Sequence, residues 1–221
     1  MTPSRTIPLA SGEAAEDFSA ASLEQPAKQS GKPMMTLQMP ATPDPASVTL
    51  DPKTTGLIVL DFVEDICNAQ PSCKGQMLPA MIPFMERVRK AGMVVAYGTR
   101  EHNMTKWLKE VAPLPRDIKI ISTAQDRFYN TDLDNTLKTK GIKTLILVGW
   151  KISGSVTYTA VGAMARDYTV VIPVDTTSAA SAYETTIGFY NVLNSGNANL
   201  ANAPLKPKAV TLSHTDLIAF R

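Results

Sequence analysis

Hydrophobic and polar positions change their spacing along this chain near residue 55. Residues 56–60 form a continuous apolar run that ends at Asp61, a pattern typical of a strand covered on both faces of a parallel sheet. Comparable runs predict further strands at residues 93–97, 118–121, 143–148, 169–174 and 209–212. Apolar positions at helical spacing predict helices at residues 77–90, 132–140, 157–164 and 183–194, followed at the end by a turn at 214–220.

Strands that alternate with helices predict an α/β protein. We expect a three-layer α/β/α sandwich built on a six-stranded parallel, Rossmann-like sheet. In such sheets the ligand lies at the carboxyl ends of the strands, near the point where strand order reverses. Asp61, Ser122 and Ser155 each follow a predicted strand, so we expect them near that site, although capping is also a common role for Asp and Ser at such places.

The segment from residue 145 to 156 joins a strand to a helix through a tight glycine turn. Gly149 ends the apolar run, and Ser155 lies where the next helix begins. A strand, a helix and a second strand within about thirty residues form one βαβ unit. Turns of this kind are where α/β enzymes place reactive groups.

The first 52 residues differ in composition from the rest of the chain. They contain eight of the sixteen prolines and only one aromatic residue, Phe18. We therefore predict a Pro-rich N-terminal arm or tail at residues 1–52 and one folded domain at residues 53–221. We favour a mobile leader, and the apolar residues at 33–40 leave open an ordered arm that crosses to a second subunit.

Composition limits the classes of partner. A chain of 221 residues that is 44% hydrophobic can bury a sizeable core, and its net charge of +2 gives no indication of nucleic-acid binding. Its apolar runs are far shorter than the roughly 18 residues that a membrane span needs, and its first twenty residues lack the apolar core of a signal peptide. We expect a cytoplasmic protein, or a periplasmic or secreted one if a signal peptide has been removed.

Metal and cofactor signals are weak. Zinc needs about four ligands, and the chain has only two histidines, His102 and His214, neither at the usual spacing from Cys67 and Cys73. The two cysteines allow either a local disulfide or two separate thiols. The glycine patterns of phosphate-binding loops and dinucleotide-binding folds are absent from the sequence, so we predict no cofactor.

Several stretches resemble the isochorismatase-like, or cysteine hydrolase, superfamily. They are LIVLD at residues 57–61, FYNTDLD at 128–134, GIKTLILVG at 141–149 and AMARDYTVV at 163–171, the last followed by Asp175. The resemblance extends from about residue 53 to the end of the chain. It implies the six-stranded parallel fold and assembly into homodimers or homotetramers.

The resemblance also implies a site. In active amidohydrolases of that superfamily, an Asp after the first strand, a Lys after the third and a Cys at the start of the helix after the fourth form the catalytic trio. Asp61 matches the first position, whereas Ser122 stands at the aligned Lys position and Ser155 at the aligned Cys position. The superfamily's metal ligands have no counterpart in this chain beyond His102. We therefore do not expect a metal-assisted nicotinamidase.

The turn before Ser155 carries a second expectation from the resemblance. Members of the superfamily have a cis peptide there, which corresponds to the bond between Trp150 and Lys151, and an oxyanion hole formed by the backbone N–H groups at 151 and 155. Such a hole depends on backbone, so it can persist when side chains change. Lys151 is also the sequence-based candidate for the cation that the missing Lys would supply.

Two chemistries and two other functions follow as hypotheses. Asp61 could act as the general base for the Ser155 hydroxyl in amide C–N cleavage, or it could donate a proton to a vinyl ether, as in the isochorismatase branch that also lacks the Cys. A catalytically inactive protein that binds a small carboxylate or amide is the alternative function, and a structural oligomer with a vestigial site is another. The expected partner is a small molecule.

Other side chains are candidates for the edge of the site. Trp150, Gly154, Phe128 and His102 are predicted to contact the substrate. The neighbouring Asp126 and Arg127 either face the pocket or form a surface ion pair, and we favour the surface ion pair.

Overall fold

The computed structural model describes residues 38, 40–100 and 106–221. Of the helices in these ranges, none combines the length and apolar composition that a bilayer crossing requires. The strands are β1 (Val48–Leu50), β2 (Thr55–Leu60), β3 (Val94–Thr99), β4 (Ile118–Ile121), β5 (Thr144–Trp150), β6 (Thr169–Pro173), β7 (Thr177–Ser178), β8 (Val210–Ser213) and β9 (Ile218–Phe220). The α-helices are α1 (Glu64–Ala69), α2 (Leu78–Lys90), α3 (Leu133–Thr139), α4 (Thr157–Met164) and α5 (Ala182–Leu193).

The main sheet has the order β4-β3-β2-β5-β6-β8, and every neighbouring pair is parallel. The six predicted strands form this path, which confirms the α/β class and the parallel sheet. The two-residue β7 adds a seventh strand by pairing with the end of β5. Strand order reverses between β2 and β5, so the carboxyl ends of these two central strands define the expected position of a ligand site.

Both faces of this sheet are covered, which explains the continuous apolar runs in the central strands. Ile58 and Leu60 point into a core layer shared with helices α3, α4 and α5, whereas Leu57 and Val59 point into the opposite layer beneath α2. Successive side chains of a strand face opposite sides, so a strand between two helical layers has no polar face. The three layers of the sandwich follow directly from this alternation.

A small second sheet lies outside the predicted elements. β1 comes from the last residues of the predicted arm and pairs in parallel with β9. Val48 and Leu50 are buried in the core layer beneath α2, so the folded unit includes residues before 53. The prediction of a turn throughout 214–220 is wrong at its end, because residues 218–220 extend to accept this partner strand.

The connection after β2 also differs from the prediction, which began a helix at residue 77. The structure has α1 and a wide helical turn at Cys73–Met77 before α2 begins at Leu78. Cys67 and Cys73 form a disulfide within this connection, and both are buried. Both cysteines pack in the same core layer as Leu57 and Val59 of β2.

Gly149 brings the ends of the two central strands together. Its φ is 121°, and a Cβ atom there would lie 1.9 Å from the carbonyl oxygen of Leu60. Any other residue would force β5 away from β2, because that oxygen belongs to the backbone and cannot rotate aside. This close approach places the residues that follow Leu60 beside the turn that leads to Ser155.

Candidate active site

Asp61, Arg127 and Ser155 form a hydrogen-bonded chain at the carboxyl ends of β2 and β5. The Arg127 Nη2 donates to Asp61 Oδ2 at 2.6 Å and to Ser155 Oγ at 3.1 Å. The other carboxylate oxygen of Asp61 accepts a hydrogen bond from the Thr99 hydroxyl at 3.0 Å. The structure therefore brings two sequence-predicted residues, Asp61 and Ser155, onto one guanidinium group.

Backbone geometry aims Asp61 into this position. Asp61 has a left-handed φ of 54°, and its N–H donates to the carbonyl oxygen of Gly98 at 3.0 Å. The bend ends β2 and directs the carboxylate towards the neighbouring strand. Only 3% of the residue is exposed, so its charge depends on partners within the protein.

Arg127 is the member of this hydrogen-bonded chain that the sequence interpretation placed elsewhere. Its side chain is fully buried and bonds to Asp61, so the surface ion pair favoured for Asp126 and Arg127 is wrong. The second terminal nitrogen, Nη1, donates to the carbonyl oxygen of Ala124 at 2.6 Å, whereas the buried Nε has no hydrogen-bond partner among the described residues. Space for the side chain comes from Gly98, where a Cβ atom would lie 2.9 Å from Arg127 Cγ.

The two neighbours Asp126 and Arg127 have separate roles because they point in different directions. Asp126 accepts a hydrogen bond from the Phe128 N–H at 2.9 Å and so fixes the loop that carries Arg127. Burial raises the pKa of Asp126, and the Phe128 N–H bond opposes that shift. Burial lowers the pKa of Arg127, while the adjacent Asp61 carboxylate opposes that shift.

Ser155 lies in the turn between β5 and α4. The peptide bond between Trp150 and Lys151 is cis, as the family resemblance implied. The Gly154 N–H and the Val156 N–H both donate to the carbonyl oxygen of Lys151, which closes the turn around Ser155. Ser155 is 7% exposed, and its hydroxyl oxygen accepts the bond from Arg127 described above.

The Lys151 side chain is committed to a different partner. Its Nζ forms an ion pair with Glu184, which lies in the first turn of α5. The Ser153 hydroxyl donates to the same Glu184 oxygen at 2.5 Å. Burial acts to raise the pKa of Glu184, but the hydrogen bonds from Lys151 and Ser153 outweigh it and lower that pKa. This network ties the turn to α5.

A small open cleft exposes the site. It holds about 140 Å³, well below the few hundred Å³ typical of drug-sized ligands, so it suits a small molecule. Residues from four separate connections meet around it. They are Asp61, Ile66, Arg100, Gln125, Trp150, Lys151 and Ser155.

The other predicted site residues have mixed positions. Trp150 lines the cleft, and Gly154 lies beside Gln125, whose Oε1 is 3.1 Å from the position of a Cβ on that glycine. Phe128 does not reach the cleft, because it is buried in the core and stacks on Tyr168 with ring centroids 5.9 Å apart. His102 lies outside the described residues.

Ser122, the residue at the aligned Lys position, bonds within its own loop. Its hydroxyl oxygen accepts from the Ala124 N–H at 3.2 Å, and its hydroxyl lies 3.1 Å from the carbonyl oxygen of Asp126. The Ser122 hydroxyl thus has no hydrogen bond to Asp61 or Ser155 and bonds instead to the loop that carries Arg127. Within the part of the chain that the structure describes, no group of three or more His, Cys, Asp or Glu side chains could hold a metal.

Known structures with this fold include an amidase and an isochorismatase family protein. The N-carbamoylsarcosine amidase from Thermoplasma acidophilum superposes with a TM-score of 0.61 at 21% identity, covering 74% of this chain and 97% of that one. An isochorismatase family protein from Burkholderia thailandensis gives a TM-score of 0.65 at 18% identity, covering 78% and 97%. At these identities the likeness establishes the fold.

Sequence comparison adds curated relatives and a family. A ureidoacrylate amidohydrolase from Caulobacter segnis is 26% identical over 161 residues, 51% of this chain and 66% of that protein. A protein of Arabidopsis thaliana named "probable inactive nicotinamidase" is 24% identical over 177 residues, 65% of this chain and 90% of that protein. The model of the isochorismatase domain matches residues 55–201, which include all three residues of the hydrogen-bonded chain. This protein belongs to the isochorismatase domain family.

Proposed function

We propose that this protein is a hydrolase that cleaves an amide C–N bond in a small molecule, with Ser155 as nucleophile and Asp61 as general acid and base. The observation that carries the proposal is the chain of hydrogen bonds from Asp61 through Arg127 to Ser155, at the edge of an open cleft. A nucleophile, a base and a cation in contact at a strand end are the elements that acyl transfer requires.

The proposed reaction begins with attack by Ser155 Oγ on the amide carbonyl carbon. A C–O bond forms, the carbonyl π electrons move to oxygen, and the hydroxyl proton passes to Asp61. Because Ser155 Oγ accepts its bond from Arg127, its own proton remains available for transfer. Asp61 Oδ2 and Ser155 Oγ both accept hydrogen bonds from Arg127 Nη2. The distance between these two oxygens therefore cannot exceed the sum of the two hydrogen-bond lengths.

Collapse of the tetrahedral intermediate breaks the C–N bond. The leaving nitrogen takes the proton from Asp61, and an ester on Ser155 remains. Water then attacks this ester, Asp61 accepts the proton of the water, and Ser155 leaves with a proton as the acid product is released. We assign the oxyanion to the backbone N–H groups of Lys151 and Ser155.

Arg127 takes the place in this scheme that the family resemblance gives to a Lys. A guanidinium keeps its positive charge and donates from fixed directions, so it stabilises negative charge on Ser155 Oγ without exchanging a proton. We assign Ser122 a positioning role, because its hydroxyl bonds to the loop that carries Arg127. Lys151 contributes through its backbone, since its side chain is paired with Glu184.

The bond type follows from the way Asp61 is held. Vinyl ether cleavage needs a carboxylic acid that donates its proton to the substrate. Both oxygens of Asp61 instead accept hydrogen bonds, from Thr99 and Arg127, which is the arrangement of a base. Two similar proteins carry the names of a ureidoacrylate amidohydrolase and an N-carbamoylsarcosine amidase, which also favour an amide bond.

A second function is a protein that binds a small carboxylate or amide without turnover. The observation in its favour is that Arg127 occupies one oxygen of Asp61 and a lone pair of Ser155 Oγ at once. Such bonds restrain the groups that would have to react. A relative named as an inactive nicotinamidase points in the same direction.

Hydrolysis of a panel of small amides and ureido acids by the purified protein separates these functions. We expect turnover that falls at least 100-fold in Asp61→Asn and in Ser155→Ala. The exposed Asp51→Asn and the distant Ser195→Ala serve as matched controls and should retain full activity. Ligand-induced stabilisation of the wild type without turnover on any amide would support the binding function instead.

A further inference from the structure

Arg100 is a cation of the cleft that the proposed reaction does not use. It directly follows β3 and lines the cleft together with Asp61 and Ser155. Its Nε is buried and has no hydrogen-bond partner among the residues that the structure describes. A buried N–H group without a partner costs free energy, so this atom points to a missing acceptor.

The positive charge of Arg100 is not balanced by an ion pair within the described part of the chain, unlike the other cations of the site. Arg127 is paired with Asp61 and Lys151 with Glu184, whereas no described carboxylate forms an ion pair with Arg100. Arg100 is also close enough to Arg127 for its charge to contribute to the lowered pKa of Arg127, after the larger effect of burial. The charged side chains that line the cleft are Asp61, Arg100 and Lys151, and of these Arg100 alone has no ion-pair partner among the described residues, which favours an anionic ligand.

Gln125 supplies the complementary polar group. It also lines the cleft, and its Oε1 is buried without a donor among the described residues. That oxygen lies against the turn of Ser155, since a Cβ on Gly154 would be 3.1 Å from it. An acceptor in this place suits an N–H group of a ligand whose reacting carbonyl is near Ser155.

We propose that Arg100 binds a carboxylate of the cleft's ligand and that Gln125 accepts a hydrogen bond from an N–H of the same molecule. The ligand class is thus a small acid that carries an amide or ureido group. The planar guanidinium matches a carboxylate through two parallel hydrogen bonds. This inference rests on the proposed function for the position of the reacting carbonyl, but its binding step does not require turnover.

Calorimetric titration with N-carbamoylsarcosine and with its neutral primary amide tests the role of Arg100. The two probes share the ureido N–H groups, and the amide replaces the carboxylate with a neutral group of similar size. We expect the wild-type protein to bind the acid at least tenfold more tightly than the amide. The preference should fall below twofold in Arg100→Met and survive in part in Arg100→Lys. Arg116→Met is the matched control, because Arg116 is exposed and its loss changes net charge equally.

Gln125→Leu tests the second half of the site. It should weaken both probes by a similar factor and leave the preference for the acid intact. Thermal unfolding of each variant checks that it is folded. Equal binding of acid and amide by the wild type, failure of the acid to bind, or an undiminished preference in Arg100→Met would each overturn the proposal.

Turnover of both probes on the same samples separates this inference from the proposed function. A preference for the acid that depends on Arg100, without turnover, supports carboxylate binding by Arg100 and counts against hydrolysis. Hydrolysis of the acid and the amide with equal kcat/KM supports the proposed hydrolase function and overturns carboxylate binding by Arg100.

Discussion

Removal of the Arg127 guanidinium is the sharpest test of the buried ion pair. In Arg127→Met the Asp61 carboxylate, at 3% exposure, loses its bond of 2.6 Å, and the carbonyl oxygen of Ala124 loses a donor. Breaking a buried ion pair by removing one partner costs about 3–5 kcal/mol, because an uncompensated charge remains inside the protein. For a chain of this length, that corresponds to a fall in Tm of about 10 °C.

A double-mutant cycle isolates the pairwise part of this loss. Urea unfolding of Arg127→Met, Asp61→Asn and the double variant should give a coupling free energy of about 2 kcal/mol. The exposed pair Lys138 and Asp134, with Nζ and Oδ2 2.9 Å apart, provides a matched cycle through Lys138→Met and Asp134→Asn. That cycle should give about 0.5 kcal/mol or less. If the buried pair coupled no more strongly than the exposed one, the reasoning would be refuted.

Three further predictions concern the surroundings of the site. Ser155→Cys introduces the only free thiol, because the two natural cysteines form a disulfide with each other. The adjacent Arg127 guanidinium should lower the pKa of this thiol below the ordinary value of about 8.5, and rapid alkylation by iodoacetamide near pH 7 would show it. Gly98→Ala pushes on Arg127 and should lower the free energy of unfolding by about 1–3 kcal/mol, whereas Gly75→Ala, with no atom within 4 Å of the new Cβ, should change it by less than about 0.5 kcal/mol. The folded protein lowers the pKa of Glu184, so the wild type should be more stable than Glu184→Gln at pH 7. In thermal melts this difference in stability should disappear as the pH falls below 4.5. A difference that persisted at pH 3 would contradict the assigned ion pair.

The main sheet could be predicted because its strands are covered on both faces. A strand between two helical layers needs apolar residues at every position, and residues 56–60 and 145–148 have that pattern. The second sheet could not, because β1 and β9 have three residues each and their partners are far apart in the chain. Such short strands carry too few positions for a periodic pattern.

The site also contains residues that the sequence could predict and one that it could not. Asp61 and Ser155 follow long predicted strands, so topology alone brings them to one edge of the sheet. Arg127 lies in a loop, and its guanidinium reaches Asp61 across 66 positions of sequence through space left by Gly98. A long side chain that extends from a loop into a gap between strands has no signature in local sequence. Comparison of the aligned position alone led to Ser122 for this reason.

Acylation of Ser155 tests the central claim most directly. The protein is mixed with p-nitrophenyl acetate, quenched, digested and analysed by mass spectrometry for the peptide that contains Ser155. The account predicts one acetyl group on Ser155 in the wild type, much less in Asp61→Asn, and none on this peptide in Ser155→Ala. A peptide that remains unmodified while the protein hydrolyses its amide substrate would contradict the assignment of Ser155 as the nucleophile.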